Sequence, residues 1–464
     1  MKEKKLFIFL ILLFINIIPL FALTHEELAK KILINNPSLI KYKNDISISN
    51  LDLKDAKAKK QPTIDFLITS TYMSNPPVGK IVVNPDDYLS GESGTSGTLT
   101  PLSAIGLDGP LTVYKGMENT QYNFKIVLTQ PLYTWNKINK SIEIYESLYT
   151  LKNKQANIKY KQLINELEIR ESTLFFIKEM KENLFIQIQI SNKLLDIINQ
   201  SFKNDFVLEI DLLEAQIKSK EIDLAIAELE KQEKTQLTKI RELVNDTTIE
   251  SDDIEYIFDE KKLEEINNEK SEQLIKLATA ASNDNIQLLS ILKNIKEKEL
   301  SIAKNDIYWK PDFALQVEAS YSGPRFPLIE RGYYTQNQAG INVTLAIKST
   351  IWDGGIKLNE IKREKLNNEN INQDILISKN QITQTIMENL AIIEYMNQKI
   401  EYQEQNSLII ENKIKNLNLE ITQGYGNKTD ILYKEIEHLN SELQIINQKL
   451  ERSISYFTIL YLIN

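Results

Sequence analysis

Hydrophobic residues recur at coiled-coil spacing along a stretch that is too long for an ordinary globular helix. Ten of them, from Tyr160 to Phe202, follow one another at steps of three, four or seven residues. These steps fit the 3.5-residue period of a coiled-coil seam. With its flanks, the stretch predicts a helix over about 137–202, a rod about 100 Å long at 1.5 Å per residue. The seam positions are Tyr160, Leu163, Leu167, Leu174, Ile177, Leu184, Ile188, Leu195, Ile198 and Phe202.

The rest of the chain carries similar helical patterns. Thr24 and Glu27 form a capping-box signature that opens the first of these helices, and Pro62 ends it. Only 14 glycines and 12 prolines occur in 464 residues, which agrees with few turns and long elements. The additional helices are predicted over about 24–60, 211–243, 263–306, 356–421 and 430–457.

The residue inventory excludes most enzyme and metal chemistry. The chain has no cysteine, and its two histidines, His25 and His438, are interpreted as surface residues. Without cysteine there are no disulfides, thiolate metal sites or cysteine nucleophiles, and two histidines leave little basis for a zinc hydrolase or a histidine triad. A net charge of −9 argues against nucleic-acid binding, which needs a basic face. We therefore expect no enzyme activity, no cofactor and no metal.

The N-terminus has the composition of a secretory signal peptide over residues 1–22. Lys2, Lys4 and Lys5 precede an apolar run that ends at Ala22. A basic start, an apolar stretch and a small residue at its end predict cleavage after Ala22, and an uncleaved anchor is the alternative. No cysteine follows, which excludes a lipid-anchored lipoprotein. Because no second apolar run is long enough for a membrane helix, a membrane role would have to use strands.

Four segments between the helices alternate apolar and polar residues with a period of two. In the first, Ile64, Phe66 and Ile68 share one face and Asp65 lies on the other. About 9–11 residues is the length of a tilted strand that crosses a bilayer with its apolar face toward lipid. A soluble sheet packed on one face would alternate in the same way. The predicted strands are 63–73, 121–130, 312–321 and 340–348.

Aromatic residues near the strand ends favour the membrane interpretation. All three tryptophans, Trp135, Trp309 and Trp352, lie close to the helix-proximal ends of strands. Two aromatic belts are typical of a membrane barrel, whereas a soluble core would bury its tryptophans. We predict that the three tryptophans form an interfacial girdle. The tyrosines near the opposite strand ends are Tyr72, Tyr122, Tyr321, Tyr333 and Tyr334.

Four strands are too few to close a membrane barrel. A sheet edge that faces lipid lacks hydrogen-bond partners, so several chains would have to contribute strands. Two chains give eight strands, whose interior is filled by side chains, whereas three chains give twelve strands around a lumen. A trimer is therefore the smallest assembly that is expected to form a pore.

The order helix, strand, loop, strand, long helix, tight turn and helix occurs twice in the sequence. We divide the mature chain into a first repeat over 23–248 and a connector with a second repeat over 249–464. The strand-connecting loops 74–120 and 322–339 are predicted to be extracellular. Shifts of 249, 217 and 219 residues respectively lay Asn36 on Asn285, Trp135 on Trp352 and Asp211 on Asp430.

The mature sequence resembles the TolC-like outer-membrane efflux family over essentially its whole length. The motifs are an opening helix, strand-to-helix corners, and hairpin turns with a glycine and a later Asp-x-Leu. They occur in the family's order, and the corner and the turn occur twice. In the first turn Asp205 takes the place of the glycine. The matching segments are Leu23–Glu27, Asn35–Leu39, Pro131–Trp135, Asp211–Leu213, Ile351–Gly355 and Gly424 with Asp430–Leu432.

The resemblance implies a membrane α+β fold in a homotrimer. Its 12-stranded barrel in the bacterial outer membrane would continue into a long coiled-coil α-helical barrel in the periplasm. It also implies a passive channel for drug efflux or for protein export, as in type I secretion. Such a channel works with a periplasmic adaptor (membrane fusion) protein and an inner-membrane efflux pump or ABC exporter. The alternatives are a secreted or surface coiled-coil scaffold or adhesin, and a stand-alone diffusion porin.

The resemblance also indicates where the channel would be constricted. Asp430 lies just inside the second hairpin turn, and threefold symmetry would arrange three such carboxylates in a ring that favours cations. Asp211 and Glu214 in the first turn are further candidates because they share a helical face. The alternative for each acid is a carboxylate that interacts with a helix dipole. Tyr433 stands where the family often has a second aspartate, and Gly426 where some members have a basic residue.

Overall fold

A computed structural model describes most of the mature chain, and its residues form two compact units. The predicted signal peptide, Trp309 and most of both strand-connecting loops lie outside the described residues. The described residues are 23–83, 110–114, 116–254, 270–306, 310–326 and 338–463. One unit spans Met1–Leu51, Glu146–Glu297 and Lys365–Asn464, and the other spans Asp52–Tyr145 and Lys298–Glu364.

Eight α-helices are present among the described residues. They are α1 (His25–Asn35), α2 (Pro37–Ala58), α3 (Lys137–Lys203), α4 (Glu209–Val244), α5 (Ser271–Ala278), α6 (Asp284–Asn305), α7 (Ile356–Thr422) and α8 (Lys428–Ile463). The prediction of very long helices is confirmed, because α3 and α7 have 67 residues each and α4 and α8 have 36 each. No helix in the described part of the chain combines the length and apolar character needed to cross a membrane.

The prediction of one continuous helix over 24–60 is wrong, because the helix breaks at Asn36 between α1 and α2. The side-chain oxygen of Asn36 accepts hydrogen bonds from the backbone N–H groups of Ser38 and Leu39, at 3.0 and 3.4 Å. Its amide nitrogen donates to the carbonyl oxygen of Leu243 near the end of α4, at 2.8 Å. The buried side chain therefore caps α2 and ties it to α4, which a periodic pattern does not reveal.

The predicted helix over 263–306, whose start lies outside the described residues, is interrupted in the same way between α5 and α6. The side-chain oxygen of Asn283 accepts hydrogen bonds from the N–H groups of Asn285 and Ile286, at 3.0 and 3.4 Å. Its nitrogen donates to the carbonyl oxygen of Leu462 in α8, at 3.0 Å. Asn283 therefore caps α6 and ties it to α8.

These hydrogen bonds make Asn283, rather than Asn285, the structural counterpart of Asn36. The gap-free shift of 249 residues is therefore wrong by two positions in this helix.

We expect Asn283→Ala to lower the free energy of unfolding by about 1–3 kcal/mol, because a buried cap and a tertiary hydrogen bond are lost together. The control Asn285→Ala should cost less than about 0.5 kcal/mol. Equal losses in denaturant unfolding of the detergent-solubilised protein would contradict this assignment.

Most of the predicted heptad seam of α3 is buried, and α4 is one of the elements that pack on it. Leu167 belongs to one apolar cluster with Ile240 of α4, and Ile177 belongs to a second cluster with Ile222 of α4. Phe202, the last seam residue, is an exception because it is 36 % exposed. Burial of the seam explains why α3 remains helical over so many residues.

A second face of α3 is buried although it is polar. Asn183, Gln187 and Ser191 recur at four-residue spacing and are 7, 1 and 3 % exposed. Next to this face, the hydroxyl groups of Ser172 and of Ser453 in α8 lie 2.9 Å apart. Because buried polar groups need specific partners, the contact between Ser172 and Ser453 favours one register between α3 and α8.

His25, which was expected on the surface, is a half-exposed residue that connects α1 to α3. Its Nδ1 atom lies 2.7 Å from Oε2 of Glu171, whose side chain is mostly buried, and its Nε2 atom lies 4.0 Å from Glu168. The hydrogen bond with Glu171 raises the pKa of His25 above its usual value of 6.5, and partial burial opposes this shift. The contact is therefore strongest when His25 is protonated.

This histidine should make stability depend on pH. A group whose pKa is raised by folding contributes its full stability below its unfolded pKa of about 6.5 and loses it as the pH rises through the folded value. We expect His25→Gln to lower the free energy of unfolding at pH 6 by about 1 kcal/mol or less, given the partial exposure, and by less at pH 9. Thermal unfolding at both pH values tests this, with His438→Gln as the control. The same pH dependence in both variants would contradict the assignment.

The four predicted strands are confirmed as one antiparallel sheet. The strands are β1 (Thr63–Tyr72), β2 (Ile81–Val83), β3 (Leu111–Tyr114), β4 (Thr120–Tyr133), β5 (Asp312–Gly323) and β6 (Gln338–Lys348). The four long strands lie in the order β1–β4–β5–β6, and β2 pairs with β3 inside the predicted loop 74–120. β4 continues past its predicted end at residue 130 through a register shift between Pro131 and Tyr133, where the proline offers no N–H.

One face of this sheet is apolar and exposed. Ile64 and Phe66 on β1 are 69 and 63 % exposed, and Ile341 and Val343 on β6 are 74 and 68 % exposed. β1 and β6 are also the edge strands, each with one side that pairs with nothing in the chain's own four-stranded sheet. An apolar face between two open edges requires cover by lipid or by a partner.

Ion pairs hold the junction of β5 with the neighbouring helices. The Nζ atom of Lys137, at the start of α3, lies 2.9 Å from Asp306 and 2.6 Å from Asp312, and that of Lys357 in α7 lies 3.2 Å from Asp306. Partial burial opposes ionisation of Asp306, but the hydrogen bonds from Lys137 and Lys357 outweigh it and hold the pKa of this carboxyl below its usual value. Asp306 therefore stays ionised at neutral pH.

Candidate functional site

The helical hairpins end in two tight turns, which we call the first tip (residues 204–208, between α3 and α4) and the second tip (residues 423–427, between α7 and α8). Each tip has one residue in the left-handed region, Asp205 with φ 58° and Gly424 with φ 89°. In each tip the N–H of the next residue donates to the carbonyl oxygen five positions back, at 2.9 and 3.0 Å. This is the same helix C-cap, so Asp205 takes the place of the glycine, as predicted.

The three predicted constriction acids lie just after the tips, and all are exposed. The carboxylate of Asp211 accepts a hydrogen bond from the backbone N–H of Leu208 at 2.9 Å, so it caps α4. Glu214 lies in the next turn of α4. Asp430 occupies in α8 the place that Asp211 has in α4, but there the cap is Asn427, whose side-chain oxygen accepts a backbone N–H of α8 at 3.1 Å. Asp430 therefore has a weaker structural role than Asp211.

The phenol of Tyr433 is close enough to all three acids for their charges to affect its ionisation. Partial burial is the main cause that raises the pKa of its phenol above 10, followed by the negative charges of Glu214, Asp211 and Asp430. The Nζ atom of Lys218 in α4 lies 4.9 Å from the centre of the ring, within cation–π range. A neutral aromatic side chain thus lies among acids from both hairpins.

An apolar cluster joins the two hairpins beside Tyr433. Its buried members are Leu194 and Ile198 of α3 and Ala215 of α4, and Leu432 and Ile436 of α8 pack against it. The acids of the first tip are therefore held next to the start of α8. Movement of either tip relative to the other would expose this cluster, which opposes such movement.

Both tips expose large apolar side chains to solvent, in contrast to the mostly buried seam of α3. Phe206 and Leu208 of the first tip are 81 and 71 % exposed, and Tyr425 of the second tip is 88 % exposed. Phe206 and Tyr425 occupy the same position, directly after the left-handed residue. Neither aromatic residue was among the predicted site residues, although an aromatic residue in a tight turn between two long helices is a signal that the sequence carries.

Gly426 has a steric reason to lack a side chain. A Cβ atom at this position would lie 2.6 Å from Cγ1 and 2.8 Å from the backbone nitrogen of Ile421. The basic residue that some members of the resembled family carry here would therefore force the turn to change shape.

The tryptophans predicted to form a girdle have different surroundings. Trp352 is 80 % exposed, and Trp309 lies outside the described residues. Trp135 is partly buried: its indole N–H donates to the carbonyl oxygen of Pro311 at 3.0 Å, and Tyr133 packs edge-on against it at 5.1 Å. The girdle stays a prediction for all three.

The backbone of the two strand-to-helix corners corrects the sequence alignment there. Trp135 and Asn136 have φ values of 50° and 65°, and Gly354 and Gly355 have φ values of 70° and 91°. Both pairs immediately precede a 67-residue helix. The shift of 217 residues that pairs Trp135 with Trp352 is therefore wrong by two positions, because the backbone equates Trp135 with Gly354.

The described residues contain no group of three or more histidine, aspartate or glutamate side chains that could hold a metal ion. The arrangement at the tips offers charge, an aromatic surface and a tight turn. These are features for contact and for electrostatic selection.

Comparisons with known proteins find similarity in structure only. No family model matches the sequence, and no curated protein matches it. The outer-membrane protein VceC of Vibrio cholerae superimposes with a TM-score of 0.70 at 13 % identity, over 94 % of this chain and 95 % of VceC. The outer-membrane channel CmeC of Campylobacter jejuni gives 0.70 at 12 % identity, over 95 % of this chain and 85 % of CmeC. CusC, described as forming a transmembrane channel, gives 0.70 at 9 % identity, over 95 % of this chain and 92 % of CusC.

Proposed function

We propose that this chain, which has the fold of the TolC-family outer-membrane channels, is an outer-membrane exit duct and not an enzyme. The observation that carries the proposal is the four-stranded sheet with an exposed apolar face and two open edges, in a fold shared with those channels over 94–95 % of the chain. Such a sheet fits lipid on its apolar face and water on its polar face. The duct would extend from the outer membrane into the periplasm.

A homotrimer would satisfy the open edges. In lipid, the unpaired N–H and C=O groups of β1 and β6 have no water to bind, so each edge needs another strand. Pairing β1 of one chain with β6 of the next would close three four-stranded sheets into a barrel of twelve strands. Trp135, Trp309 and Trp352 would then form the interfacial girdle.

Assembly and conductance test this proposal directly. The purified full-length chain in detergent is expected to have the mass of three chains and, in planar lipid bilayers, to open a pore. A stable trimer with no conductance would favour the scaffold or adhesin alternative. A monomer with no conductance would overturn the duct.

The partners would be a periplasmic adaptor protein and an inner-membrane efflux pump or ABC exporter. Support comes from the tips, where Phe206, Leu208 and Tyr425 expose apolar surface that a stand-alone porin would not need. The cargo would be drugs or exported proteins.

Phe206→Ser with Tyr425→Ser should separate export from conductance. We expect the double variant to lose the ability to restore export, measured as tolerance to the compounds to which deletion of the gene makes its host sensitive. Its trimer mass and bilayer conductance should remain unchanged, because both residues are exposed. The control Leu224→Ser removes a side chain that is 69 % exposed on α4 away from the tip and should keep full export. Full export by the double variant would contradict docking at the tips and favour a diffusion porin.

Asp430, with Asp211 and Glu214, would form the acidic constriction. Three chains would bring three copies of Asp430 together, and a ring of carboxylates favours cations over anions. Because Asp211 already caps α4 through its hydrogen bond at 2.9 Å, Asp430 is the principal candidate.

Asp430→Asn should lower the cation preference of the pore without affecting assembly. The measurement is the reversal potential of single channels in a salt gradient, and we expect the cation-to-anion permeability ratio to fall by about two-fold or more. Glu451→Gln, which removes an exposed acid elsewhere on α8, is the matched control. An unchanged ratio would reject the constriction role of Asp430 and leave the duct in place.

A further inference from the structure

We propose that Asp65, Lys125 and Glu318 form a charged band on the water-facing side of the sheet that sets the ion preference of the pore. The inference rests on the proposed function, because it takes this face to be the wall of the lumen. It concerns a place distinct from the hairpin tips, with different residues and different variants. The solutes it favours are cationic and neutral ones rather than anions.

The strand register defines the polar face row by row. Residues directly paired across antiparallel strands point to the same side of a sheet, so each row runs across β1, β4, β5 and β6. The four rows that cross all four strands are Thr63–Thr129–Gln316–Thr344, Asp65–Val127–Glu318–Asn342, Leu67–Lys125–Ser320–Gly340 and Thr69–Asn123–Ser322–Gln338.

Among these four rows, charge is confined to the two middle ones. The outer two contain only threonine, glutamine, asparagine and serine, whereas the middle two contain Asp65, Glu318 and Lys125. The same face also carries Asp312 and Lys348, which pair with each other at the helix-proximal ends of β5 and β6. The opposite face of these paired strands carries no charged residue. This distribution identifies the water-facing side, because a charge on the lipid face of a membrane strand is destabilising.

An ion pair links the two middle rows. The Nζ atom of Lys125 on β4 lies 3.1 Å from Oε1 of Glu318 on β5, and the two side chains are 33 and 22 % exposed. Asp65 lies on the edge strand β1, in the same row as Glu318 and directly opposite Val127. Two acids and one base leave one net negative charge per chain in the band. In a closed trimer, each of the three chains would therefore contribute one net negative charge to the band around the lumen.

The consequence is selection by charge inside a narrow passage. A ring or band of carboxylates between low-dielectric walls attracts cations and repels anions. Lys125 weakens this field by neutralising Glu318, so it is the residue that limits the cation preference. Removing Lys125 should strengthen the preference, and removing either acid should weaken it.

Reversal potentials of the full-length wild type and single variants in planar bilayers test the band. At about 0.1 M salt, where the screening length is about 10 Å, we expect Lys125→Gln to raise the cation-to-anion permeability ratio by about two-fold. Asp65→Asn and Glu318→Gln should each lower it by a similar factor. The control Glu230→Gln, an exposed acid on α4, should leave it unchanged. At about 1 M salt the differences should largely disappear, because the screening length is about 3 Å.

A variant that exchanges the two charges of the ion pair controls for effects of the single substitutions on folding. The double variant Lys125→Glu with Glu318→Lys keeps the pair and the net charge, so it should assemble and select ions like the wild type. If the wild type conducts and all three single variants have the same cation-to-anion permeability ratio as the wild type, the band is overturned and the proposed duct is unaffected. A shift of Lys125→Gln toward anions would also overturn the band. Wild-type protein without conductance would instead mean that the proposed function itself is wrong.

Discussion

The unpaired backbone groups along β1 and β6 are the constraint on which the rest of the molecule depends. Each outer edge carries N–H and C=O groups with no partner in the chain's own sheet, and Ile64 and Ile341 beside them are 69 and 74 % exposed. In water this apolar face would promote association, and in lipid each unsatisfied backbone group would cost several kcal/mol. In the proposed trimer, edge-to-edge pairing of the sheets would satisfy the backbone groups, and lipid would cover the apolar face.

Periodicity was sufficient to predict the elements whose surroundings repeat along the chain. The predicted helix over 137–202 is observed as Lys137–Lys203, because only a helix buries a seam of 3.5-residue period. The strands followed from alternation for the same reason. Periodicity does not predict the breaks at single residues. Asn36 ends a helix because its amide reaches the carbonyl oxygen of Leu243, 207 residues away in sequence, and such a contact exists only in the folded chain.

The candidate site was predictable in part, and the parts differ in kind. Motif spacing identified Asp211, Glu214 and Asp430, but their common neighbour Tyr433 emerged only once α4 and α8 packed together. At the corner, Trp135 was matched to another tryptophan because identical residues dominate a gap-free comparison. Its backbone instead has φ 50°, a conformation that costs a bulky residue of order 1–3 kcal/mol. The indole hydrogen bond to Pro311 at 3.0 Å offsets part of that cost.

Tyr433 also changes how charge would be divided along the proposed duct. In the resembled family this position often adds a second carboxylate beside the first, whereas here a phenol with a raised pKa stays neutral at physiological pH. Each chain therefore brings one acid fewer to the second tip. Asp211, held as a cap, cannot reorient to replace it without giving up its hydrogen bond to Leu208. In a trimer built from this chain, electrostatic selection would then depend more strongly on Asp65 and Glu318 in the sheet than it would with a second carboxylate at the tip.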